Sequence, residues 1–91
     1  MQKFIIKPAT KGDLTQILAL VRELAEYENL LHYMNYDEKA YSQALFEKNY
    51  AHALVLEYEG QMIGYALYFY TFSSFLGSGG LWLEDLYIRS K

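Results

Sequence analysis

Between Lys3 and Lys7 stand Phe4, Ile5 and Ile6, a short apolar burst that predicts a strand ended by Pro8. Thr10 and Asp13 then stand at capping-box spacing, so a carboxylate is ready for a helix N-terminus. Leu14, Ile17, Leu18, Val21, Leu24 and Ala25 recur at helical spacing and predict one apolar stripe, with Gln16, Arg22, Glu23 and Glu26 facing away. The helix is expected to fade near Glu28 and Asn29. Residues 30–36 are aromatic and irregular. Asp37 is placed to cap a second, shorter helix with Ala40, Tyr41, Ala44 and Leu45 on its inner side.

The period then changes. Residues 51–59 read as a strand, and Glu59-Gly60 marks a tight hairpin turn. Residues 62–72 are apolar on both alternating sets, the pattern of a central strand covered on two sides. Ser73, Ser74, Gly77, Ser78, Gly79 and Gly80 predict a loop over residues 73–80, followed by a last strand over residues 81–88. The expected fold class is α/β, in the order β-α-α-β-β-β, with a mostly antiparallel sheet and two helices.

Composition narrows the picture. Ninety-one residues form one small domain, whose core leaves a thin stability margin. Ten Tyr, five Phe and one Trp supply a dense core or a large interface. A net charge of -3 argues against a nucleic-acid partner, which demands a basic face, and suits a cationic substrate. With no Cys there is neither a disulfide framework nor a thiolate metal site. His32 and His52 lack converging partners, so no metal is expected. Met1 to Lys7 lacks the apolar core of a signal peptide, and no apolar run approaches the roughly 18 residues of a membrane span. The expected compartment is the cytoplasm.

Four motifs carry the chemistry: Ile6-Lys7-Pro8-Ala9-Thr10, Glu23-Leu24-Ala25-Glu26-Tyr27-Glu28, Gly64-Tyr65-Ala66-Leu67-Tyr68-Phe69 and Leu83-Glu84-Asp85-Leu86. Each alone is common. Taken in order, on matching elements, they resemble the N-terminal half of a GNAT superfamily N-acetyltransferase, most closely the diamine (spermidine/spermine-type) branch. The resemblance covers nearly all 91 residues. It implies an acetyl-CoA-dependent acetyl transfer to a small cationic amine, polyamine or lysine-like. In the family the last strand is followed at once by an Arg/Gln-x-x-Gly-x-Gly/Ala pyrophosphate loop, and then by a helix, a partner strand and a Tyr that serves as general acid. The resemblance therefore implies a single GNAT domain over residues 1–91 that lacks this second half.

An amine attacks a thioester only when neutral, so a base must take its proton. By resemblance that base is Glu84, on a half-buried strand where Trp82 and Leu86 are expected to raise its proton affinity. Asp85 and Glu28 are expected to hold the cationic tail, and Tyr27 to pack on its methylenes or over its ammonium. Main-chain groups of Leu86, Tyr87 and Ile88 are expected to meet the pantetheine arm and polarise the acetyl carbonyl. Which amide faces outward depends on a bulge.

The sequence also departs from the branch. Diamine acetyltransferases carry an acid and a Trp in the loop before this strand. Here Phe75 takes the place of the Trp and a Ser that of the acid, which points to compact cationic amines rather than long polyamines. Phe75 is then either a substrate wall or a loop anchor. Glu84 and Asp85 also read as ordinary strand carboxylates, Tyr27 and Glu28 as a packing aromatic and a solvated charge. Arg89 and Lys91 approach CoA phosphates or are merely solvated. Two functions stay open: part of an amine acetyltransferase, or a non-catalytic domain that self-associates, most simply as a homodimer.

Overall fold

The computed structural model describes residues 3–35 and 37–89. It contains strand β1 (Phe4–Pro8), helices α1 (Leu14–Tyr27) and α2 (Glu38–Ser42), and strands β2 (His52–Tyr58), β3 (Gln61–Ser73) and β4 (Ser78–Ile88). The strands form one antiparallel sheet in the order β1-β2-β3-β4. The expected order of elements and the α/β class are therefore the observed ones.

Local chemistry sets the joints. The Thr10 N–H donates to Asp13 Oδ2 at 2.8 Å, and a single 3₁₀ turn, Lys11–Asp13, leads into α1. At the other end, Leu30 N–H donates to the Ala25 carbonyl at 2.8 Å and Asn29 N–H to that of Glu26 at 3.1 Å. With Asn29 at φ 63°, this is a Schellman motif, and it ends the helix where the sequence indicated. Asp37 caps α2 by accepting from the Lys39 N–H at 3.0 Å. The helix then widens into a π turn, Gln43–Glu47. Glu59 and Gly60 take φ 51° and 85°, the paired left-handed residues of a type I′ hairpin turn.

Both helices lie on one side of the sheet. Ile17 and Leu20 of α1 pack on Ala53, Val55, Met62 and Tyr65, with Val21, Leu24, Leu67 and Tyr87 around them. Thr15 ties α1 to α2 by donating to Glu38 Oε2 at 3.0 Å. The apolar stripe is rotated from the one read off the sequence. Leu20, absent from that stripe, is fully buried, while Leu18 is only partly covered. Leu20 lies three residues after Ile17 and four before Leu24, so it completes an equally good helical row. Glu23 does not face away: it is partly covered and paired, as described below.

The opposite side of the sheet is not covered by any described residue. Phe4, Ile6, Leu86 and Ile88 are more than half exposed there, and the last three bound a shallow apolar hollow of about 220 Å³ together with Leu54, Leu56 and Ala66. β3 is central in pairing, as expected, but it is not covered on both sides. Its apolar second row faces outward. The hairpin between β3 and β4 is also longer than the glycines and serines suggest. Ser73 pairs with Ser78, so the loop is residues 74–77 and not 73–80. Gly79 and Gly80 sit in β4 opposite Phe72 and Thr71, where an added Cβ on Gly80 would lie 2.9 Å from the Thr71 hydroxyl oxygen.

Candidate active site

The pairing of β3 with β4 breaks at one point. Leu67 faces Asp85 and Tyr68 faces Leu83, which leaves Glu84 as an extra, unpaired residue. This is a β-bulge. A regular strand turns adjacent side chains to opposite faces. Here Trp82 stacks on Phe69, with ring centroids 6.5 Å apart, and its indole N–H donates to Glu84 Oε1 at 3.2 Å. Phe69, Leu67 and Tyr65 share the helix-covered row of β3, so Glu84 is directed to that side. Asp85 is directed there too, since it accepts from the Tyr65 hydroxyl at 2.9 Å. The bulge thus brings two consecutive carboxylates to one face.

Their environments differ, and in the reverse sense to expectation. Glu84 is exposed, and so is its neighbour Trp82. The half-buried strand environment expected for Glu84 belongs instead to Asp85. Burial pushes the Asp85 carboxyl above the ordinary carboxylate range, the Tyr65 hydrogen bond opposes that, and the charge of Glu84 adds to it. The Tyr65 hydroxyl is itself held protonated far above the usual phenol range by burial and by Asp85. Tyr41, from α2, is raised by burial and then by the same carboxylate.

Beyond the bulge β4 is the edge of the sheet. Arg89 N–H donates to the Ile63 carbonyl at 2.8 Å. Amides alternate in direction along a strand, so those of Tyr87 and Asp85 also point inward, and those of Ile88 and Leu86 point to the unpaired edge. Along this edge runs a cleft of about 440 Å³ lined by Leu24, Tyr27, Glu28, Leu86, Tyr87 and Ile88. Five residues singled out from the sequence therefore meet in one place. Tyr27 and Glu28 reach it because the Schellman turn stops α1 there.

Phe75 does not join them. It is 99% exposed at the tip of the β3–β4 hairpin, about 20 Å of strand from Glu84. Sequence reasoning missed Tyr65, Tyr41 and the anchor at the end of β4. There Glu23 of α1 accepts from Arg89 Nε at 2.9 Å, from Arg89 Nη2 at 2.6 Å and from the Tyr87 hydroxyl at 3.1 Å. The Arg89 guanidinium holds the Glu23 carboxyl below its ordinary range. Arg89 is thus neither free for a phosphate nor simply solvated, and Lys91 lies outside the described residues. The one usable signal for this anchor was a Glu on the helix and an Arg after the strand at matching depth. No group of three or more His, Asp or Glu side chains converges as a metal site among the described residues.

Comparison with known proteins agrees with this fold. No family model matches the chain. The chain is 36% identical over an alignment of 100 residues to the thialysine N-epsilon-acetyltransferase of Sus scrofa, covering all of this chain and 58% of that protein. It is 33% identical to the human spermidine/spermine N(1)-acetyltransferase-like protein 1, covering 97% of this chain and 14% of that one. Among solved structures, a possible acetyltransferase from Clostridium difficile 630 superposes with a TM-score of 0.78 at 22% identity, over 93% of this chain and 57% of that chain. A ribosomal-protein-alanine N-acetyltransferase from Brucella melitensis gives 0.71 at 15% identity, over 94% and 56%. The chain spans a little over half the length of the thialysine acetyltransferases it matches. In sequence and in fold, these 91 residues correspond to the N-terminal half of a GNAT superfamily N-acetyltransferase, on the thialysine and spermidine/spermine side of that superfamily.

Proposed function

We propose that this segment carries the acceptor side of an acetyl-CoA-dependent N-acetyltransferase for a small cationic amine, lysine-like rather than a long polyamine. The observation that carries the reading is the bulge at Glu84, which turns two carboxylates to one face beside the cleft ended by Tyr27 and Glu28.

An ammonium has no lone pair to attack with. Glu84, exposed and reachable by water, takes one proton from it, directly or through a water, leaving a neutral amine and a carboxylic acid. Asp85 and Glu28 hold the remaining positive charge of the acceptor. Tyr27, exposed at the helix end, packs on its methylenes or over its ammonium. Acetyl-CoA, when bound, supplies an activated acetyl thioester. The main chain of Leu86, Tyr87 and Ile88 suits its pantetheine arm, since among the described residues the outward-facing Leu86 and Ile88 amides have no strand partner. Phe75 lies too far along the hairpin to wall this cleft and acts, if on substrate, only on a long acceptor. A soluble cytoplasmic enzyme fits this chemistry, and no described helix is long and apolar enough to cross a membrane.

The test is acetyl transfer to thialysine, lysine and spermine by a protein that carries this segment at the length of its relatives. Transfer to the lysine-like amines, with spermine no better, supports the reading. A folded protein that releases no CoA with any amine contradicts it.

The second reading, self-association, is favoured by the open face and the unpaired edge of β4. Leu86 and Ile88 stand exposed on β4, whose outer edge has no strand partner among the described residues, and Ile6 is exposed on the same open face, which invites pairing with a second chain. In this reading residues 1–91 alone hold acetyl-CoA weakly, because the family's pyrophosphate loop follows β4, and sediment as a dimer or larger at micromolar concentration. A clean monomer with low-micromolar acetyl-CoA affinity would overturn it.

A further inference from the structure

We infer that Tyr65 is a positioning residue of the amine site, whose hydroxyl fixes the orientation of the Asp85 carboxylate and leaves the other carboxylate oxygen for a cationic group. This rests on the reading of Glu84 and Asp85 as the acceptor site.

Tyr65 lies in β3 opposite Tyr87, and its side chain is 2% exposed among Ile17, Leu20, Val55 and Met62. A Phe would fill such a place without asking for a partner. The hydroxyl must find one, because a buried polar group left unpaired costs about 1–3 kcal/mol. It finds Asp85, the diagonal neighbour across the strand pair, at 2.9 Å. That diagonal exists only because the bulge at Glu84 shifts the register and keeps Asp85 on the helix-covered side. The ring is locked by the core, so the hydroxyl has one position. The contact uses Oδ2 and leaves Oδ1.

The groups bearing on this pair come from every neighbouring element. Glu84 acts from β4, Tyr41 from α2 and Glu28 from the end of α1. All are acids or phenols. Burial and Glu84 both disfavour the charged Asp85, and the hydrogen bond from Tyr65 favours it. Removing that hydroxyl therefore favours protonation of Asp85, weakens its hold on a cation and shifts the effect toward higher pH.

The variant is Tyr65→Phe, in a protein carrying this segment at the length of its relatives. The acceptor KM should rise about three- to tenfold near neutral pH, the net size of an ordinary intramolecular hydrogen bond. The acetyl-CoA KM should not move, and the acidic limb of kcat/KM should shift upward by up to about one pH unit. In an Asp85→Asn background, Tyr65→Phe should add nothing further to the acceptor KM. A lower melting temperature with unchanged acceptor KM and unchanged acidic limb would assign Tyr65 to packing alone and overturn the inference. A carbon-13 carboxyl titration of Asp85 needs no turnover. If the wild type acetylates no amine, the acceptor-site reading fails, and this titration still decides Tyr65. An upward move in Tyr65→Phe supports its hold on the carboxylate, and an unmoved Asp85 overturns it.

Discussion

On the helix-covered side of the sheet, Ile17, Leu20, Val55 and Tyr65 leave almost no surface to water, while on the other side Ile6 is 71% and Leu86 62% exposed. Both rows are apolar. The difference lies in what is packed on them. The first side carries the packed core and also the candidate carboxylate site, since Asp85, Tyr87 and Glu23 belong to it. The second has the residues of a core without a covering layer. One sheet thus separates a side whose side chains have fixed partners from a face that no described residue covers. The candidate carboxylates stand on the first side.

Truncations on the two sides should separate by the largest margin. Leu20→Ala or Ile17→Ala removes packing from a closed core and should cost about 2–5 kcal/mol. Ile6→Ala, exposed, should cost under about 1 kcal/mol. Urea unfolding of both measures this, and equal losses would mean that the open face is covered in solution. Gly64 gives the next effect. Its added Cβ would lie 2.8 Å from the Tyr87 carbonyl oxygen, a backbone atom that cannot swing away. Gly64→Ala should therefore strain the β3–β4 pairing by about 1–3 kcal/mol and unfold at lower urea. A neutral result would show that β4 is free to shift.

The smallest effect is at the α1–β4 anchor. Glu23 is held below its ordinary value near 4.5, chiefly by Arg89. A lowered folded-state value means stability that is present above that ordinary value and lost as pH falls through the folded one. Both partners are a third or more exposed, so the contribution should be roughly 0.3–1 kcal/mol. Glu23→Gln should flatten the acid end of the stability curve below about pH 4.5 by that amount. An unchanged acid limb would show that the pair does not hold β4 to the helix.

The order of elements was readable because each signal was local: the Thr10–Asp13 cap, the Asn29 stop and the Glu59-Gly60 turn act within a few residues. The candidate site residues Tyr27, Glu28, Glu84 and Asp85 could likewise be named, because they stand in short motifs. The difference in environment between the two carboxylates was not legible. Glu84 and Asp85 are adjacent in sequence, and only the bulge decides that Asp85 meets Tyr65 while Glu84 stays in water. Leu20 was missed because two neighbouring rows of α1 are equally apolar, and the sheet selects between them. The open face could not be seen either, since an apolar second row in β3 reads the same whether or not something covers it.

The central claim is that Glu84, at the bulge, takes the proton of the acceptor amine. The most direct measurement is the pH dependence of acetyl transfer to a lysine-like amine, for wild type and Glu84→Gln, in a protein that carries this segment at its relatives' length. Turnover should fall by about 10²–10⁴-fold with the acid limb of the profile altered, while the exposed position of Glu84 leaves folding stability nearly unchanged. A Glu84→Gln variant with wild-type rates across the whole pH range would contradict the claim.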